Sequence, residues 1–129
     1  MFCNLGDRKT PFAMPFSVAY LIGLPVLTPA DVLVRLNHVD FYVFDCNPSS
    51  VFTHHHLPGA VHIDPLRFTE YDLPTDRSAS LLFYSSGPLC GAGTHAARMA
   101  RKMGYPHVFV MVAGLTGWLR EGCPVEKGN

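Results

Sequence analysis

Cys90 sits in a stretch suited to handling a thiolate. Ser85-Ser86-Gly87-Pro88-Leu89-Cys90-Gly91-Ala92-Gly93 follows an apolar run and leads into a helical pattern from about Thr94. Glycines let successive backbone N–H groups turn inward, and a helix N-terminus adds about half a positive charge. A cysteine there should have a lowered pKa and be partly thiolate at neutral pH. Such a loop can hold an anion or activate a sulfur nucleophile for covalent catalysis. The groups that would surround the sulfur belong to Ser85, Ser86, Gly87, Gly91, Ala92, Gly93 and Thr94.

Three other chemistries compete for this loop. Gly91-Ala92-Gly93-Thr94-His95-Ala96 matches the loose form of a dinucleotide-binding turn. The next apolar run, however, ends Met111-Val112-Ala113-Gly114 with no acid for a ribose hydroxyl, and no further strand follows. A P-loop fails because no lysine follows a glycine at the required spacing. A phosphatase loop needs an arginine where Ala96 stands; the nearest is Arg98, and no guanidinium clamps a phosphate. The histidines His54, His55, His56 and His62 form the second cluster. Three consecutive side chains cannot converge on one ion from regular structure, so a solvent-facing turn with His62 packed on its strand is expected, without a metal.

The elements around the loop read as alternating helices and strands. Thr28-Pro29-Ala30-Asp31 is a helix start, with a hydroxyl N-cap, proline at N1 and an acid at N3, followed by Val32, Leu33 and Leu36 at helical spacing. Apolar runs at 41–44, 60–63, 81–84 and 108–112 read as strands buried on both faces. Helices are expected from about Thr94 to Met103, closed by Gly104, and from Leu115 to Glu121. This alternation predicts a parallel α/β sheet, whose ligands collect at the C-terminal strand ends, where Asp45 and the Ser85–Gly93 loop both lie.

The 129 residues, 48% hydrophobic and 16% charged, suit one folded domain rather than a disordered chain. Ten basic residues balance ten acidic ones, which argues against a nucleic-acid binder and leaves any anion chemistry to local groups. Asp7-Arg8-Lys9 before the apolar run from Phe12 to Leu27 imitates an export signal. Pro15 and Pro25 interrupt that run, it is shorter than the ~20 residues of a spanning helix, and no small-x-small cleavage site follows. The expectation is an N-terminal extension over 1–25, a domain over 26–129, no membrane span and a cytoplasmic location. Cys3, Cys46 and Cys123 are expected to be reduced thiols, since no pair has zinc-ligand spacing and this core needs no disulfide staples.

Taken in order, Asp45 at a strand end, His56-Leu57-Pro58-Gly59-Ala60, the thiol loop, Ala113-Gly114-Leu115-Thr116-Gly117-Trp118 and Gly122-Cys123-Pro124-Val125 resemble the rhodanese-like domain. The resemblance covers Val26 to about Val125. It implies a single α/β domain with a central five-stranded parallel sheet and helices on both faces. It also implies sulfurtransferase activity without a cofactor. A thiolate takes sulfane sulfur from thiosulfate or a persulfide, holds it as a cysteine persulfide, and passes it to cyanide or another thiol.

The sequence departs from the family pattern at the nucleophile. The family's cysteine directly follows the Tyr that ends the strand, and that position is Ser85, whose hydroxyl cannot carry a persulfide. Tyr84-Ser85-Ser86-Gly87-Pro88-Leu89-Cys90 looks like a variant loop, Tyr-Cys-x-Gly-Pro-x-Cys, with its first cysteine replaced and its second kept. The loop is longer than the common form. Asn47 stands where an arginine often follows the aspartate, and His55 replaces the glycine before the histidine. The resemblance makes Cys90 the displaced sulfur carrier, with fewer N–H groups facing it, and Asp45 and His56 orienting, supporting groups near the mouth; the structural alternative is that the aspartate caps nearby backbone N–H groups and the histidine fixes the turn. Transfer is expected to be weak, and Ser85→Cys to raise it. The alternative is a catalytically inactive binding or regulatory module.

Overall fold

The computed structural model describes residue 19 and residues 22–128. Cys3, the Asp7-Arg8-Lys9 group and most of the apolar run from Phe12 lie outside the described residues. Helix α1 (Pro29–Arg35) begins as its sequence dictates. The Asp31 N–H donates to the Thr28 hydroxyl at 3.2 Å while the Thr28 N–H donates to the Asp31 carboxylate at 2.9 Å, a reciprocal cap with Pro29 at N1.

The apolar runs become β1 (Phe41–Asp45), β2 (Val61–His62), β3 (Ser80–Tyr84) and β4 (Val108–Met111). All pair in parallel, in the order β2-β1-β3-β4. Asp45 is level with Tyr84, and Tyr84 with Met111, so the segments leaving β1, β3 and β4 emerge along one edge. The remaining helices are α2 (Ser49–His54), α3 (Ala92–Lys102) and α4 (Gly114–Arg120).

Strand side chains alternate, so β3 feeds two cores. Leu81 and Phe83 meet Ala96, Ala97 and Ala100 of α3 on one face. Leu82 and Tyr84 meet Val32 of α1 and Leu115 and Trp118 of α4 on the other. Helices on both faces explain why the strand runs are apolar throughout. Trp118 is fully buried and its indole N–H donates to the Pro124 carbonyl at 2.7 Å.

Several expectations need correction. Among the described residues the sheet has four strands rather than five; where a fifth would lie, Val26 forms a single parallel bridge to Val110. The Leu27 N–H donates to the Val110 carbonyl at 2.9 Å and the Val110 N–H to the Pro25 carbonyl at 3.0 Å. Pro25 has no N–H to extend the ladder, and the Thr28 cap turns the chain into α1. Helix α2 was not foreseen, because Ser49-Ser50-Val51-Phe52-Thr53-His54 has weak helix propensity. Helix α3 starts at Ala92, not Thr94. Cys123 is disulfide-bonded, not a reduced thiol, while Cys46 and Cys90 are free. Spacing along the chain does not say which thiols a fold brings together. Ala19 and Leu24, ahead of the bridge, are buried in the α3-side core.

Candidate active site

The alternation of β3 sends Ser85, one residue past Tyr84, toward the α3 side of the sheet. There the Gly93 N–H donates to the Ser85 hydroxyl at 3.4 Å, and that hydroxyl reaches the Cys90 carbonyl at 3.4 Å. Gly93 favours this approach, since a Cβ would lie a tight 3.1 Å from Tyr84 Cα. The other flank is held by α4, whose Leu115 and Thr116 N–H groups donate to the Ser85 and Ser86 carbonyls at 2.8 and 2.9 Å.

Between these anchors the loop reverses. The Cys90 N–H donates to the Gly87 carbonyl at 3.0 Å, closing a turn with Pro88 at its second position. The reversal brings Cys90 back over Ser85. Hydrogen bonding to the Ser85 hydroxyl is the largest influence on the Cys90 thiol and lowers its pKa from 9.0 to about 7; the Ala92 and Ser86 N–H groups and the Ser86 hydroxyl add to it, while partial burial opposes. Two backbone amides, those of Ala92 and Ser86, act on the sulfur beside the two serine hydroxyls, and the extra loop length is spent in the turn that brings the thiol to them. Ser85 itself is only 4% exposed beneath the loop, whereas Cys90 is half-buried. Cys90 opens into a pocket of about 80 Å³ that Ser85, Gly87, Gly91, Gly93 and Thr94 also line.

The structure does not bring Asp45 or His56 to the sulfur. Asp45 faces the α4 side of the sheet, is fully buried, and accepts from the Tyr84 hydroxyl and, at 2.7 Å, from the Asn47 N–H. Burial pushes its carboxyl up, against the hydrogen bonds from Tyr84 and Asn47. The Tyr84 oxygen in turn accepts from the Leu57 N–H at 3.1 Å. This network ties β1 and the turn after α2 to the residue that precedes Ser85. His56 is buried, stacks on Phe52 at 3.9 Å and donates from Nδ1 to the Phe52 carbonyl at 2.7 Å. Its backbone exchanges hydrogen bonds with Glu126 at 3.0 and 2.8 Å. The expected solvent-facing histidine turn applies to His54, which is exposed, but not to His56. His62, half-buried, donates from Nε2 to the Asn47 carbonyl at 2.7 Å.

Sequence reasoning missed Cys46 as a neighbour of the site. Its N–H donates to the Tyr84 carbonyl at 2.9 Å, and its side chain shares the α3-side core. Burial, then the charges of Asp45 and Cys90, push its pKa up. The parity of β1 relative to β3 could have found it, given the register. The two thiols should thus differ sharply in reactivity. At pH 7 roughly half of Cys90 is thiolate, against roughly 1% of an ordinary thiol; allowing for its lower intrinsic nucleophilicity, alkylation should be roughly sixfold faster. Iodoacetamide labelling with peptide mapping should show a midpoint near 7 for Cys90 and no native-state labelling of Cys46. A Cys90 midpoint near 9 would remove the hydroxyl–thiol contact from the site.

Comparison with known proteins agrees with this architecture. The family model described as the rhodanese-like domain matches residues 28–121. The chain is similar to the HTH-type transcriptional regulator Rv0324 of Mycobacterium tuberculosis, with 25% identity over 114 residues covering 87% of this chain and 50% of that protein. It thus spans about half the length of that curated relative. Among solved structures, the BH2092 protein of Bacillus halodurans superposes with a TM-score of 0.75 at 21% identity, over 83% of this chain and 80% of that one. SseA of Escherichia coli, a 3-mercaptopyruvate sulfotransferase, gives 0.70 at 19% identity, over 81% of this chain and 51% of that one. At such identities the likeness is one of fold. Among the described residues no helix is long and apolar enough to cross a membrane. With the family model spanning α1 to α4 and the parallel sheet between them, the chain belongs to the rhodanese-like domain family.

Proposed function

We propose that this domain transfers sulfane sulfur through a persulfide on Cys90, taking it from a small donor such as thiosulfate or a persulfide and passing it to a thiol or cyanide. The observation that supports this most is the Cys90 thiol, held near neutrality by the Ser85 hydroxyl and by amides at the start of α3. The thiolate attacks the donor's outer sulfur, the donor's sulfur–sulfur bond breaks, and its electron pair leaves with the remainder of the donor. The same amides then face the charge of the bound persulfide. Ser85 is a positioning residue, with its hydroxyl beside the sulfur, and not the nucleophile. Transfer is slow, because the sulfur rides on the half-buried arm of the loop rather than at the buried strand end. The chemistry needs a reduced Cys90.

Intact-mass measurement after incubation with each donor should show one added sulfur, mapped to Cys90; none from either donor would end this reading. Ser85→Ala should move the thiol pKa back toward 9.0 and slow loading at pH 7 several-fold, with recovery at higher pH. A merely structural role for Ser85 would lower loading at every pH.

A second reading is favoured by the similarity to a transcriptional regulator. In it the modified Cys90 is a signal and no acceptor turns the site over. Loading without acceptor-dependent release would select that reading.

A further inference from the structure

Among the described residues, those lining the pocket at Cys90 bring dipoles but no cation. Its polar groups are hydroxyls and amides, those of Ser85, Gly93 and Thr94 among them, and its apolar wall comes from Pro88, Leu89, Val110 and Val112. Among the described residues no lysine, arginine or histidine lines it. The basic residues of the adjoining helix α3 do not line it: His95, Arg98 and Lys102 are exposed, and Arg101 donates to the Gly23 carbonyl at 3.5 Å. Among the described residues the electrostatic support at the sulfur is therefore the set of hydrogen-bond donors and the end of α3. Every group that lowers the Cys90 pKa is such a donor, with no basic side chain among them. That support is already committed to the thiolate.

A donor with two negative charges would bring them within a few ångströms of the thiolate with no cationic side chain opposite them among the described lining residues. An uncharged donor meets no such barrier, and an apolar carrier finds Leu89, fully exposed at the rim, and the valine wall. Resting on the persulfide reading above, we infer that the sulfur donor is a low-molecular-weight organic persulfide with an uncharged, apolar carrier, and that the site discriminates against dianions such as thiosulfate. In the step, the Cys90 thiolate attacks the outer sulfur of R–S–SH. The Cys90–sulfur bond forms, the sulfur–sulfur bond of the donor breaks, and R–S⁻ leaves with the electron pair. The proton stays on the transferred sulfur, giving Cys90–S–SH. No oxidant or reductant is consumed.

The test uses the full reduced chain at pH 7, with thiosulfate and benzyl hydropersulfide as separate donors. Sulfur gain at Cys90 is followed by quenched intact mass. Each rate is divided by that of a small free thiol of pKa near 7 with the same donor, which removes the donors' intrinsic reactivities. The expected ratio favours the hydropersulfide at least tenfold. A ratio near one, or one favouring thiosulfate, would overturn the inference while leaving sulfur transfer through Cys90 standing. No sulfur on Cys90 from either donor would remove both. Leu89→Arg, at a fully exposed position, should shift the ratio toward thiosulfate several-fold by placing a cation at the rim. An unchanged ratio in a folded variant would overturn the charge argument.

Discussion

Cys90→Ser is expected to lower sulfur loading at least about a thousandfold, because losing a covalent nucleophile typically costs three to six orders of magnitude. A serine hydroxyl is not ionised near neutral pH and cannot hold sulfane sulfur. The fold should survive, since the side chain is half-buried and the turn is closed by the backbone Cys90 N–H to Gly87. Thermal unfolding should thus be near wild type, which separates loss of chemistry from loss of structure. Persistent sulfur gain in this variant would move the carrier to another thiol, with Cys46 the neighbour to test. Ser85→Cys in the same background should restore only part of the loading, because position 85 is 4% exposed beneath the loop. Full restoration would show that the strand-end position remains the better cradle.

Gly114→Ala should be the most damaging single-methyl change near the site. Gly114 has φ +64°, and a Cβ there would lie 2.5 Å from the Gly87 nitrogen and 2.6 Å from the Ser86 carbonyl carbon. Left-handed backbone costs an L-residue about 1–2 kcal/mol, and overpacking against immobile backbone about 1–3 more, so roughly 2–5 kcal/mol of stability is at stake. The damage reaches the chemistry, because the next two N–H groups of α4 hold the Ser85 and Ser86 carbonyls. The Cys90 alkylation midpoint should therefore rise along with the fall in urea midpoint. Gly59→Ala is the control: its φ is +77°, yet nothing lies within 4 Å of the added carbon, so it bears only the backbone cost. Equal losses at the two positions would show that the contact between the loop and α4 is loose.

The loop that carries the site was legible because its signals are local. Glycine spacing, a cysteine and the start of a helical pattern lie within a few residues of each other, and the apolar runs beside them mark a buried parallel sheet. The Thr28 cap was equally local, and it formed as read. Asp45 and His56 take the structural alternative, capping the Asn47 N–H and fixing the turn after α2, rather than sitting beside the sulfur. Whether Asp45 faces the thiol depends on strand parity, and its register against Tyr84 turns it to the face opposite Ser85. His56 is bound by Phe52 and Glu126, the latter seventy residues further on, which no local pattern reports.

By itself the sequence determined the α/β class, the strand order of chemistry along the chain, and that a cysteine would stand among glycine amides near a helix start. These follow from periodicity and turn residues, which act over one or two turns of chain. Tertiary structure alone decided what that cysteine is. The turn at Pro88 folds Cys90 back onto Ser85, α4 clamps the loop from the other side, and Cys46 is buried a strand away with its thiol pushed up. A pKa is set by the donors and charges within a few ångströms of the sulfur. Those neighbours are Ser85 and Ser86, just past β3, and Ala92 at the start of α3, so the thiol near neutrality depends on the folded chain.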